Sequence, residues 1–141
     1  MKSTLIDAGP LIALFSRNDK HHGRILNFLK DYKGYLVSTW PVITETCHML
    51  DFDGRAQIAF LEWLNRGAVE IFEIKPHDIE SIIKLTKKYS DIPMDLADAS
   101  LVLASNSLGI KEIITIDSDF FVYRTTAKEM IKNIFTDSDE A

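Results

Sequence analysis

Apolar positions along the chain switch between a spacing of about two and a spacing of three to four, and the switches mark the elements. Residues 2–7 are a short apolar run ending on Asp7, which predicts a strand. A tight turn at Gly9-Pro10 leads into a short helix over 10–15. Asn18-Asp19 offers an N-cap, and Ile25, Phe28, Leu29 and Tyr32 then fall at i, i+3, i+4, i+7 on a second helix that Gly34 closes. Tyr35-Leu36-Val37-Ser38 is a buried strand. Ser38 or Thr39 caps a third helix with Pro41 in its first turn and Val42, Thr46, Met49 and Leu50 facing inward. Asp53 caps a fourth, carried by Ala56, Ala59, Phe60, Trp63 and Leu64. Residues 69–74 alternate and predict a strand with one wetter face.

The second half repeats this rhythm. A helix opens at Pro76 with Ile79, Ile82, Ile83 and Thr86 inward. Another runs from Met94 through Ala97, Leu101, Ala104 and Leu108 to Gly109. Residues 112–116 are an apolar strand ending on Asp117-Ser118-Asp119. Residues 120–123 form a short turn or helix, and 126–135 fit either a helix or a terminal strand. Strands alternating with helices, without repeats or a low-complexity linker, predict an α/β fold. The expectation is a parallel central sheet of about four to five strands with helices on both faces and right-handed crossovers. Residues 1–135 make one domain and 136–141 a frayed tail.

Composition narrows the class. The chain has 141 residues, 46% hydrophobic and 26% charged, which suits one globular domain. Its single cysteine, Cys47, excludes an intrachain disulfide. No run approaches the ~20 apolar residues of a membrane span, and a cytoplasmic protein without membrane partners is expected. The net charge of −5 argues against binding nucleic acid by bulk electrostatics, though not against an enzyme with a cation in an acidic pocket.

The acids carry the candidate chemistry. Asp7 lies at the carboxyl end of a strand, where open α/β sheets place their ligands. Asp117 and Asp119 repeat that placement, with Thr115 just before them, although Asp-Ser-Asp also suits a plain turn or helix cap. Glu45 shares the apolar face of its helix, either aimed at the same pocket or reaching water from its flank. Asp95 and Asp98 lie at i, i+3 on one side of a helix. Asp95 is equally well explained as a first-turn acid, whereas Asp98 sits deeper among Ala97, Leu101 and Val102.

Several carboxylates in one crevice need compensation, and no adjacent Lys or Arg motif supplies it. A divalent cation does, and an all-oxygen set favours Mg²⁺ or Mn²⁺ over zinc. Neither Cys47 nor the histidines show zinc spacing. His21-His22 are expected at the surface, and His48, i+3 from Glu45, is expected packed or exposed rather than in the pocket. Lys20, Arg24, Lys30 and Lys33 gather near the second helix, either as phosphate contacts or as a solvated face.

Leu5-Ile6-Asp7-Ala8-Gly9-Pro10-Leu11, Thr44-Glu45, Pro93-Met94-Asp95-Leu96-Ala97-Asp98-Ala99-Ser100 with Leu108-Gly109, and Thr115-Ile116-Asp117-Ser118-Asp119-Phe120 occur in that order. Together they resemble the PIN-domain ribonucleases, of the kind found as the toxin in VapBC toxin–antitoxin pairs. The resemblance runs from Leu5 to about Arg124, after which Arg124-Thr125-Thr126-Ala127-Lys128 departs from the pattern and shows no clear final strand.

The resemblance implies metal-assisted hydrolysis of RNA phosphodiester bonds with Mg²⁺ or Mn²⁺ as cofactor. It places metal ligands at Asp7, Asp98 and Asp117, with Glu45 as a water-holding ligand or base. Asp119 would complete a second metal site, Asp95 is a subgroup feature, and Thr115 would orient a water or phosphate. It also implies a homodimer and a small DNA-binding antitoxin as partner. Two other classes remain. A PIN-like scaffold that only binds a partner would not need the full acid set. A phosphoaspartyl protein, whether haloacid-dehalogenase-like or receiver-like, would need paired acids after the first strand, where this chain has Asp7-Ala8-Gly9.

Overall fold

A computed structural model describes residues 1–135, so the expected frayed tail at 136–141 lies outside the described residues. Within these residues five parallel strands form one sheet: β1 Ser3–Ile6, β2 Tyr35–Thr39, β3 Val69–Phe72, β4 Glu112–Ile114 and β5 Lys132–Asn133, in the order β3-β2-β1-β4-β5. The first three strands step outward on one side of β1. The chain then returns to place β4 on its other side, so the strand order reverses between β1 and β4. A crevice opens at that reversal, beyond the carboxyl ends of the two strands.

Among the described residues, six α-helices complete the fold: α1 Ala8–Phe15, α2 His22–Asp31, α3 Trp40–Met49, α4 Gly54–Asn65, α5 Ile79–Lys88 and α6 Leu96–Leu108. Helix α1 packs on α2, α3 and α4, whereas α6 packs on α5, α3 and β2. With the usual right-handed crossovers, the reversal in stepping direction assigns α1–α4 to one face of the sheet and α5–α6 to the other, in line with the packing of α1 on α2, α3 and α4 and of α5 on α6. Every residue of α6 from Ala97 to Ser105 is buried. A helix apolar on all sides belongs inside the molecule, and the small residues Ala97, Ala99, Ser100, Ala104 and Ser105 let neighbours approach it. Gly109, at φ 69°, ends it in the left-handed conformation that glycine adopts without strain.

Several local expectations change. The Gly9-Pro10 stretch is not a separate turn: helix α1 starts at Ala8, and Pro10 lies in its first turn, where no amide partner is needed. Asp19 does not cap α2 directly; it accepts from the His21 amide at 2.8 Å in the turn before it. His21 and His22 are half-buried rather than surface residues, and His22 Nδ1 lies 2.8 Å from the Ala13 carbonyl.

On α5, Ile82 faces inward as expected, with Leu85 and, just past the helix, Tyr89, whereas Ile79, Ile83 and Thr86 are exposed. The packing on α6 selects one of two comparably apolar stripes. Met49 and Leu108, expected inward, are also exposed, as is Ala59. Residues 132–133 resolve the strand-or-helix choice at the end of the domain in favour of a strand, preceded by an antiparallel bridge between Arg124 and Met130.

Candidate active site

Strand β1 ends at Ile6 because Asp7 turns the chain into α1 as its N-cap. Asp7 Oδ1 accepts from the Ala8 amide at 2.8 Å, and Oδ2 accepts from the Thr115 hydroxyl at 3.0 Å. Thr115 follows β4 and is itself buried. Its hydroxyl also accepts from the Asp117 amide at 2.9 Å, so one side chain ties the two strand ends together. Asp117 in turn accepts from the Asp119 amide at 2.9 Å and caps the 3-10 turn Ser118–Phe121. The turn-cap reading of Asp117 and its place in the crevice are therefore both true.

The third carboxylate comes from α6. Asp95 is its N-cap and accepts from the Asp98 amide at 2.8 Å, an arrangement that fixes the first turn and turns Asp98 inward. Asp98 Oδ2 accepts from the Tyr123 hydroxyl at 3.1 Å. Asp7, Asp98 and Asp117 each offer an oxygen to one group whose members all lie within 4.8 Å of one another. They line a cavity of about 290 Å³ together with Glu45, Asp95, Gly9 and Ile116, and among the described residues no Lys or Arg lines it.

Of the other expected residues, Glu45 is exposed on α3 and reaches this cavity, and Asp95 stands at its rim. Asp119 lies one step beyond the three-acid group and does not line the cavity. His48 is exposed and also lies outside it.

The electrostatics follow from the packing. Burial pushes the Asp7 carboxyl up to about 6, with Asp117 and Glu45 adding to the rise. Burial and the nearby Asp95 and Asp7 push Asp98 up to about 7, against the opposing Tyr123 hydrogen bond. Glu45 and Asp117 are also raised, by burial first and by neighbouring carboxylates second. A group of acids that repel one another's ionised forms, pinned by hydrogen bonds so that they cannot separate, is complementary to a hard cation. The donors are all oxygen, which fits Mg²⁺ or Mn²⁺ and gives zinc no soft ligand.

Two site residues carry no sequence signal. Tyr123 is a fully buried aromatic in a stretch without clear period, and only its packing on Phe120 and Tyr89 aims its hydroxyl at Asp98. Asn133 lies on β5, where its side-chain amide donates to the Thr115 carbonyl at 3.0 Å and accepts from the Thr115 amide at 3.3 Å. It extends the sheet's pairing by one residue just where β4 stops.

Ribonuclease VapC26 of Mycobacterium tuberculosis is 25% identical over 119 residues, spanning 83% of this chain and 88% of that protein. The crystal structure of Mycobacterium tuberculosis VapC20, described as a sarcin-ricin loop cleaving toxin, superposes with a TM-score of 0.75 at 17% identity. That match covers 84% of this chain and 92% of VapC20. At that identity the likeness concerns the fold. The PIN domain model matches residues 4–125, from the first strand to just past the Tyr123 that holds Asp98, and the chain belongs to the PIN domain family.

Proposed function

We propose that the protein is a Mg²⁺- or Mn²⁺-dependent endoribonuclease that hydrolyses RNA phosphodiester bonds, the toxin of a VapBC-type pair. The observation that carries this reading is the approach of Asp7, Asp98 and Asp117 oxygens to within 4.8 Å of one another in a cavity that no Lys or Arg among the described residues lines. Family membership supplies the nuclease class, and the similarity to VapC26 and VapC20 favours RNA as substrate.

Asp7, Asp98 and Asp117 would hold the metal, which when bound polarises the phosphoryl group and makes water acidic enough to attack. The chain's own part is preorganisation. Thr115 holds Asp7 Oδ2, Tyr123 holds Asp98 Oδ2, and the Asp119 amide holds Asp117 Oδ1, so each ligand keeps its orientation. Glu45 stands outside the three-acid group, and its raised carboxyl suits it to take a proton from water at Oε. Asp95 acts by placing Asp98, and Thr115 by placing Asp7 and Asp117.

A small DNA-binding antitoxin is the proposed regulatory partner, and its reading frame is expected beside this one. A homodimer is proposed on the apolar cleft formed by Trp40, Pro41, Ile74, Ile79, Ile82 and Leu96. No helix among the described residues is long and apolar enough to cross a membrane. Incubation of a mixed RNA pool with and without Mn²⁺ tests the reading: cleavage by wild type that requires the metal supports it. Metal binding without cleavage leaves a non-catalytic scaffold.

A further inference from the structure

A second cleft, of about 410 Å³, lies beside the acidic cavity and shares Ile116 and Asp117 with it as a common wall. Its chemistry is the reverse of its neighbour's. Arg24 of α2 and Lys132 of β5 line it, together with Phe121 and Met130. Those two apolar side chains are 66% and 47% exposed, so solvent meets a wide apolar surface just beyond the acids. The loop bearing Phe121 is braced: the Arg124 guanidinium donates to the carbonyls of Phe121 and Tyr123 at 2.5 and 2.9 Å. His21 lines the same cleft, and among the described residues its buried Nδ1 has no hydrogen-bond partner. A buried ring nitrogen without a partner costs free energy until something supplies one.

We propose that this cleft is a nucleotide subsite for single-stranded RNA, taking the residue next to the cleaved bond. The inference rests on the ribonuclease reading and adds where the substrate lies. The base stacks on Phe121 and against Met130, its backbone phosphate meets Lys132 and Arg24, and His21 offers a hydrogen-bonding group to base or sugar. An aromatic face beside cations is the combination that holds unpaired nucleotides, since every base has a π-face and every linkage a charge. A base stacked in a duplex is not available to such a cleft, so paired RNA is excluded from it. The arrangement also answers the charge problem. A chain of net charge −5 holds RNA through a local pair of cations, placed next to the acids across the wall that Ile116 and Asp117 share.

The test uses the full chain and a fluorescein-labelled mixed-sequence single-stranded RNA hexamer. Binding is followed by anisotropy in EDTA, and cleavage of the same RNA in Mn²⁺. Phe121→Ala and Lys132→Gln should each weaken binding by about 5- to 30-fold, with KM raised in proportion and kcat within twofold. Phe121→Trp should restore binding, which a merely structural role for Phe121 would not predict. The melting temperature and its rise with Mn²⁺ should match wild type in all three. If wild type cleaves and both variants bind and cleave like it, the subsite is overturned while the ribonuclease reading stands. If wild type neither binds nor cleaves the RNA, the ribonuclease reading fails and the subsite with it. A fall in molecular mass on Phe121→Ala, with RNA binding unchanged, would make the cleft a contact between copies of the chain and overturn the proposal.

Discussion

The Thr115 hydroxyl donates to Asp7 Oδ2 at 3.0 Å across 108 positions of sequence. It joins the ends of two neighbouring strands, β1 and β4, at the point where the strand order reverses. The same oxygen accepts from the Asp117 amide, so the relative placement of two of the three clustered acids depends on one buried hydroxyl.

Removing that hydroxyl should therefore cost both stability and metal affinity. Thr115→Val leaves Asp7 Oδ2 and the Asp117 amide without a partner, and is expected to destabilise the fold by about 1–3 kcal/mol. Mn²⁺ affinity should fall by about 10- to 100-fold, as is usual when a group behind a metal ligand is lost. Thr115→Ser keeps the hydroxyl and should recover most of the affinity. Chemical denaturation and isothermal titration calorimetry measure the two effects.

Stability of the metal-free protein should depend on pH in an unusual direction. Asp7 and Asp98 titrate at about 6 and about 7 in the fold, above the ordinary 3.8. The folded chain keeps protons that the unfolded chain releases, so stability is full below about pH 4 and declines as pH rises through 6 to 7. For Asp7 alone the loss is about 3 kcal/mol. In EDTA the melting temperature at pH 5 should exceed that at pH 8, and Asp7→Asn should flatten the slope. Mn²⁺ at pH 8 should restore wild type and not the variant.

Tyr123 sets how easily Asp98 ionises. Its hydrogen bond favours the carboxylate, and burial beside Asp98 pushes the Tyr123 hydroxyl far above its ordinary range, so it stays a proton donor. In Tyr123→Phe the Asp98 carboxyl should titrate still higher. The acid limb of metal binding should move to higher pH, with little change on the alkaline side. A pH series of Mn²⁺ titrations reads this directly.

The proposed dimer has its own test. Ile79 is 55% and Leu96 56% exposed, and both line one cleft with Trp40. Ile79→Glu should convert a dimer to a monomer in analytical ultracentrifugation, with an unchanged circular dichroism spectrum, because Ile79 is more than half exposed and stands outside the buried core.

Much of this arrangement is legible in the sequence, and the reasons are local. An apolar run that stops on an acid marks β1 with Asp7 and β4 with Asp117, because an unbroken apolar run followed by an Asp that caps the next turn leaves a sharp boundary. Asp95 and Asp98 are visible because acids at i, i+3 open an otherwise apolar helix. Tyr123 and Asn133 are not visible. Each reaches the site through packing between distant segments, and a lone Tyr or Asn in an irregular stretch has no spacing to betray it. The inward face of α5 is read only in part for a related reason: Ile79, Ile82 and Ile83 are equally apolar, and the contact with α6 selects Ile82 with Leu85 and leaves Ile79 and Ile83 exposed. The last strand is only two residues long, too short for any period to show.

The central claim is that three clustered acids make a metal-dependent ribonuclease, and cleavage of a mixed RNA pool by wild type and Asp7→Asn tests it most directly. Wild type should cleave in Mn²⁺ and not in EDTA. Asp7→Asn should fold, keep its circular dichroism spectrum and lose at least about a hundredfold in rate, more than is lost with a group behind the ligands. Cleavage by Asp7→Asn at the wild-type rate, or by wild type in EDTA, would contradict the account.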